Sequence, residues 1–279
     1  MAVLFGPAGI PIACEGGTYE AVECCSQLGL TAMEVEFVQG VRMSAANAEK
    51  IGKRAAGLNI RLSCHCPYFI NFCAREKPKL LGSVRNVMDT ARVAQLLGAG
   101  AIVFHPGFYM GRAPQECAKI AKPVLQECID KLKAERLDKV WLAPETTGKK
   151  SQYGSLDDVL DICSSLERCR PTVDFGHMHA RESRIRAKGD YLKIFERVEK
   201  ALGKKAVHDL HVHFSELEYT EAGEYRHIPL GTNEPPFKPL AEAIVENGFG
   251  CTIISESPLL EQDSLRMKRI YEAVLAAKK

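Results

Sequence analysis

No run of apolar residues in this chain approaches the roughly 20 needed to cross a bilayer, which argues against a transmembrane helix. A basic segment ahead of the first apolar residues is also missing. Met1-Ala2-Val3-Leu4-Phe5-Gly6-Pro7 therefore reads as a first strand, not as a signal peptide. None of the 11 cysteines forms a C-x-x-C pair, and the number is odd. They are expected to be reduced and mostly buried thiols in a cytoplasmic protein, not a disulfide framework. Net charge is small, 37 Lys and Arg against 35 Asp and Glu, or +2. That is too mild to announce a nucleic-acid binder, although a local basic face can sit on a near-neutral body. There is no linker and no low-complexity segment. A Gly-rich fingerprint after the first strand is absent too. Gly6-Pro7-Ala8-Gly9 is irregular, and its proline removes a backbone N–H that a phosphate would need.

What is present is alternation. Apolar residues make up 46% and charged residues 26% of 279 residues, the balance of a globular chain with a large core. Short β-branched or aromatic runs recur at Val3–Gly6, Ala32–Phe37, Ile60–Cys64, Ala101–His105, Val140–Ala143, Pro171–Asp174, Asp209–His213 and Cys251–Ser255. Helical patterns lie between them. One covers Thr18–Leu28, opened by Thr18. One covers Ser83–Leu97 and stops at Gly98. One covers Leu156–Ser165, capped by Ser155, with Asp157 and Asp158 in the first turn. Eight strand–helix units without a composition break predict one closed parallel (β/α)8 TIM barrel, a single domain over residues 1–279.

In such a barrel the active site forms at the C-terminal ends of the strands. The third strand ends in Cys64-His65-Cys66, the fourth in His105-Pro106-Gly107 and the fifth in Glu145-Thr146. The sixth ends in Asp174-x-x-His177, the seventh in His211-Val212-His213 and the eighth in Glu256, with Arg226-His227 in the loop after the seventh. A single histidine at a strand end is usually a structural hydrogen-bonding residue. Here six consecutive strands deliver imidazole or carboxylate to one face. Burying the carboxylates there costs several kcal/mol each unless a counter-charge is bound. A divalent metal is the simplest compensation, and this donor mixture suits Zn²⁺, with Mn²⁺ or Fe²⁺ as alternatives. Cys64 and Cys66 alternate to the face opposite His65 and read as packing residues. His208 precedes its strand at the other end.

The set His65-x-x-Tyr68-x-Ile70-Asn71, Phe104-His105-Pro106-Gly107, Glu145-Thr146-x-Gly148, Asp174-x-x-His177, His211, Arg226-His227-x-x-Leu230-Gly231 and Glu256-x-Pro258 resembles the endonuclease IV family of apurinic/apyrimidinic-site endonucleases. The resemblance implies a zinc-dependent phosphodiesterase of base-excision DNA repair that cleaves 5′ to an abasic site, with a metal-bridging hydroxide as nucleophile. It gives His65 and His105 to a first metal, and Glu145 to the first and second. Asp174, His211 and Glu256 go to the second, and His177 and His227 to a third. Glu145 and Glu256 carry the catalytic assignment. Double-stranded DNA with abasic sites is the implied partner, and nothing in the chain calls for an obligate protein partner. Arg42, Tyr68 and Phe69 match the residues that enter the duplex in that family.

One departure stands out. The family's Asp ligand two residues before the His of the Arg-His pair is Tyr225 here. Glu224, His179 or His213 is left to complete the third site. The stretch Arg181, Arg184, Arg186, Lys188 offers a candidate phosphate-binding face, and Lys149 and Lys150 lie closer to the barrel mouth. The alternative function is a sugar isomerase or epimerase on a xylose-isomerase-like barrel, for which Glu145, Asp174, His211 and Glu256 would suffice.

Overall fold

In a computed structural model, which describes residues 2–181 and 184–278, the predicted alternation closes into a barrel. Met1 and Lys279, the ends of the expected first segment and of the expected domain, lie outside the described residues. The barrel strands are β1 (Val3–Pro7), β2 (Ala32–Glu36), β3 (Arg61–His65), β4 (Ala101–Phe104), β5 (Trp141–Pro144), β6 (Thr172–Asp174), β7 (Leu210–Phe214) and β8 (Cys251–Ser255). All of their ladders are parallel. One runs β1-β8-β7-β6 and the other β2-β3-β4-β5. Two seams join them. Ala8 bridges Glu34, with the Gly9 N–H donating to the Glu34 carbonyl at 2.9 Å. Glu145 bridges Thr172, with the Thr146 N–H donating to the Thr172 carbonyl at 3.1 Å.

Helices α1 (Thr18–Gln27), α2 (Ala45–Gly57), α3 (Lys77–Leu97), α4 (Pro114–Ala134), α5 (Leu156–Ser165), α6 (Lys188–Leu202), α7 (Phe237–Asn247) and α8 (Glu261–Ala277) form the outer ring. Ser155 caps α5 by accepting from the Asp158 N–H at 3.1 Å, as its sequence predicts. Helix α3 ends at Gly98, whose φ of 70° places it in the left-handed region. Two boundaries differ from expectation. Helix α3 begins at Lys77, because Pro78 fits a first helical turn. Thr18 is inside α1 and Gly17 occupies the cap, so Thr18 has no capping bond to make.

Strand alternation sorts the side chains into two populations. Cys64, Phe104, Leu142, Val173, Val212, Phe214 and Ile253 point outward and join the apolar layer under the helices. Each such residue contributes about 1.5–3 kcal/mol of burial. The inward set is unusually polar for a barrel: Glu34, Ser63, His65, Glu145, Thr172, Asp174, His213 and Thr252 are all buried. Bulky branched residues normally fill this space. Most of the apolar stabilisation therefore comes from the strand–helix layer, and the interior is left for chemistry.

Candidate metal centre

The centre is organised around Glu145, which follows β5 and is fully buried. Its Oε2 lies 3.3 Å from His65 Nε2 and 3.0 Å from His105 Nε2. Its Oε1 lies 3.1 Å from His177 Nδ1 and 3.3 Å from His213 Nδ1. Glu256, at the end of β8, reaches His213 Nδ1 at 3.1 Å. Asp174, at the end of β6, lies 3.5 Å from His177 Nδ1 and accepts from the His177 N–H at 2.6 Å. Four groups of potential ligand atoms result, each mutually within 4.8 Å. Three lie at the strand ends: His65, His105 and Glu145; Glu145, Asp174, His213 and Glu256; and His177, Glu224 and His227. The fourth, Glu34, His211 and His213, lies one layer deeper.

Several imidazoles are anchored from outside the centre. His65 Nδ1 lies 2.8 Å from the Cys66 carbonyl, His177 Nδ1 is 2.9 Å from the Thr146 carbonyl, and His227 Nδ1 is 2.7 Å from Ser215 Oγ. His213 Nε2 lies 2.8 Å from Glu34 Oε1. Fixing one ring nitrogen orients the other toward a ligand, the arrangement usual around metal-bound histidine.

Charge explains why a cation fits. Burial alone would lower the His65 pKa, but the carboxylates Glu36 and Glu145 outweigh it and hold the imidazole up at about 10. His177 and His213 are likewise desolvated, and are raised by Asp174 and by Glu34 and Glu256 respectively. Asp174 is pushed well above the carboxylate range by burial, reinforced by Glu256 and Glu145. Burial also pushes Glu36 up to about 8. Glu145 Oε1, Asp174 Oδ2 and Glu36 Oε1 are buried without a hydrogen-bond partner. The donor set and these orphaned oxygens suit a divalent ion.

One assignment made from the sequence is placed differently. His211 groups with Glu34 and His213, not with Asp174 and Glu256. It and His213 both point inward from β7, but two residues on a strand separate them by about 6.6 Å. His213 is the one level with the strand ends. His211 sits deeper, with Nε2 2.9 Å from Glu34 Oε2, an oxygen that also accepts from Ser63 Oγ at 2.6 Å. Its sequence signal was a choice between two histidines on one face. Glu34 and Glu36 were missed because β2 reads as an ordinary strand.

The place left open by Tyr225 is taken by Glu224. The loop after β7 is an antiparallel hairpin, Glu216–Thr220 with Gly223–Ile228, whose register shifts beside Tyr219. The extra residue is Tyr225, which turns outward and is 67% exposed. The bulge turns Glu224 and His227, three residues apart, to the same side. Glu224 Oε2 lies 3.5 Å from His177 Nε2, and its Oε1 lies 3.7 Å from His227 Nε2. The Glu224 N–H donates to the Gly148 carbonyl at 3.0 Å. A Cβ on Gly148 would come within 2.5 Å of Glu224 Cβ and 3.0 Å of His177 Cδ2, so glycine in Glu145-Thr146-x-Gly148 is a packing requirement. His179 points elsewhere, bound to Glu234 and the Ile185 carbonyl.

The remaining motif residues brace the loops. Asn71 Oδ1 accepts from the Cys73 and Phe108 N–H groups, tying the loop that carries Tyr68 to the one after His105. Gly107, with φ of 137°, leaves room for this contact. Cys64 and Cys66 are buried in the core, away from the centre. Tyr68 and Phe69 stand out at 59% and 71% exposure, and Arg42 is exposed. Tyr68, Glu36, Val38 and Leu260 help line a cleft of about 570 Å³ over the histidines. Of Arg181, Arg184, Arg186 and Lys188, Arg184 lies 5.6 Å from the Tyr219 ring centroid and the other three are held by hydrogen bonds or ion pairs. Arg181 donates to the Thr147, Lys149 and Gln152 carbonyls, Arg186 pairs with Glu234, and Lys188 pairs with Glu246.

The chain matches the xylose isomerase-like TIM barrel family over residues 22–272, and it belongs to that family. Among curated relatives, the uncharacterized protein MJ0133 of Methanocaldococcus jannaschii is 38% identical over 96% of this chain and 97% of its own length. The probable endonuclease 4 of Shouchella clausii is 25% identical over 76% of this chain and 72% of its own. Among solved structures, a D-tagatose 3-epimerase-like protein superposes with a TM-score of 0.72 at 17% identity, covering 98% of this chain and 99% of that one. Endonuclease IV from Thermus thermophilus superposes with a TM-score of 0.71 at 20% identity, covering 97% and 99%. Among the described residues no helix is long and apolar enough to cross a membrane.

Proposed function

We propose that this barrel is a zinc-dependent phosphodiesterase that cleaves DNA at apurinic/apyrimidinic sites. The observation that carries this reading is the third ligand group, His177, Glu224 and His227, beside two others that share Glu145. A ketose epimerase working with one metal needs only the quartet Glu145, Asp174, His213 and Glu256. The relatives named endonuclease 4 support the same reading.

Divalent metal bound here would supply Lewis-acid neutralisation of a phosphodiester and activation of water near neutral pH. His65 and His105 with Glu145 would hold one ion, Glu145, Asp174, His213 and Glu256 a second, and His177, Glu224 and His227 a third. Glu145 faces two groups at once and fixes their spacing. Glu34 and Ser215 orient His213 and His227. The cleft walls receive the phosphate. Exposed Tyr68 and Phe69 provide flat apolar faces that can occupy the gap left by a missing base, and Arg42 can meet the backbone charge.

A second reading, a ketose epimerase, has one observation in its favour. Glu36 Oε1 is a buried carboxylate oxygen without a partner in a residue that lines the cleft, a feature suited to moving a proton at carbon. An abasic-site duplex and a ketose panel, each assayed with zinc, with manganese and with chelator, separate the two. Metal-dependent strand cleavage supports the nuclease. Ketose turnover without cleavage replaces it.

A further inference from the structure

We infer that the opposite, N-terminal end of the barrel is a second binding site, for a small organic anion of the phosphomonoester class. A cavity of about 440 Å³ opens there, within the range of small-molecule sites. Its origin lies in the inward side chains. Barrel interiors are normally filled by bulky residues, but the lining here includes Ser63, Ala101 and Ala143.

The mouth is cationic and rigid. Arg61, Lys139 and Arg170 face a single carboxylate, Asp209, leaving two net positive charges. Asp209 holds both guanidinium groups, with Oδ1 2.8 Å from Arg61 Nη1 and Oδ2 3.0 Å from Arg170 Nη1. Arg61 Nη1 also donates to Thr252 Oγ1 at 3.0 Å, and the Arg170 guanidinium stacks 3.8 Å over the Trp141 ring. The arginines are about half exposed, so these pairs add little stability. They do preorganise donors whose planar fork suits phosphate. Lys139 has no carboxylate partner among the described residues. Apolar walls from Ala55, Ile60 and Leu97 would take the organic portion of the ligand. At the inner end His211 lines the cavity, and it shares Glu34 with His213 of the metal centre.

Trp141 is the only tryptophan in the chain and sits in this wall, so its fluorescence reads the site directly. Zinc-loaded protein is titrated with phenyl phosphate, with inorganic phosphate and phenol as separate arms. The expected result is a saturable change with phenyl phosphate, a weaker response to inorganic phosphate, and none to phenol at the same concentrations. Lys139→Ala should weaken binding roughly tenfold and Lys139→Glu should abolish it, from loss of a charge-assisted contact. Both changes are at an exposed residue and should leave folding and metal content intact. No saturable signal would overturn the inference. So would a signal that persists in Lys139→Glu and vanishes with chelator, because that response belongs to the metal centre.

Discussion

The two ends of the barrel are built from the same inward-facing columns, yet they treat charge in opposite ways. Along β7 the column reads Asp209, His211, His213, and the stretch leading through β6 reads Arg170, Thr172, Asp174. At the N-terminal end Asp209 is shared by two arginines and Lys139 has no carboxylate partner among the described residues, so positive charge is in excess. At the C-terminal end Glu145, Asp174 and Glu256 crowd against five buried or half-buried histidines, and Glu145 Oε1 and Asp174 Oδ2 accept no hydrogen bond. An excess of cations at an open mouth attracts an anion from solution. An open set of buried carboxylates holds protons on its imidazoles or takes up a cation. The difference between the ends is thus a difference in the sign of the charge left unmatched, cationic at one end and carboxylate at the other.

Substitutions can break this contrast, beginning with the largest effect. Glu145→Ala should reduce cleavage of an abasic duplex by at least ~10³-fold, because its carboxylate faces two ligand groups. Steady-state kinetics and bound-zinc analysis check this, and retained activity would contradict the shared role. His213→Ala should cost at least ~10²-fold, whereas His211→Ala, acting only through Glu34, should stay within about tenfold. Equal losses would mean that the two layers of β7 are not functionally distinct. Glu34→Gln should weaken zinc retention by roughly 10–100-fold, the usual range for a residue that orients a ligand. A competitive chelator titration measures it.

The smallest predicted effects concern the hairpin. Gly148→Ala should displace Glu224 and release one metal while leaving the other two, read by elemental analysis. Tyr225→Ala should change neither metal content nor rate, since its side chain points to solvent. A loss of metal in Tyr225→Ala would restore that position as a ligand.

The barrel itself was readable because eight β-strand patterns and their intervening helices keep their periodicity, and strand boundaries shifted by one residue at most ends. Helix α3 began earlier than its periodic core, since a proline-led first turn carries no apolar repeat. The strand-end donors His65, His105, Glu145, Asp174 and Glu256 were legible for a positional reason: the fold dictates which end of a strand carries chemistry. The choice between His211 and His213 was not, because both have inward parity and only the register fixes depth. Glu224 was one of three candidates for the third group, and the sequence could not choose among them because the bulge changes the facing of residues in a way that simple alternation cannot express. Glu34 lay in a strand whose polar residues would pass for solvent-facing ones in any sheet with a wet side.

The central claim is that this site holds several metals, and the zinc content of the purified, zinc-reconstituted and desalted protein tests it most directly. About three zinc ions per chain are predicted, falling to about two in Glu224→Ala. A wild-type value near one, unchanged in Glu224→Ala, would contradict it and leave the quartet of a mononuclear epimerase as the better description.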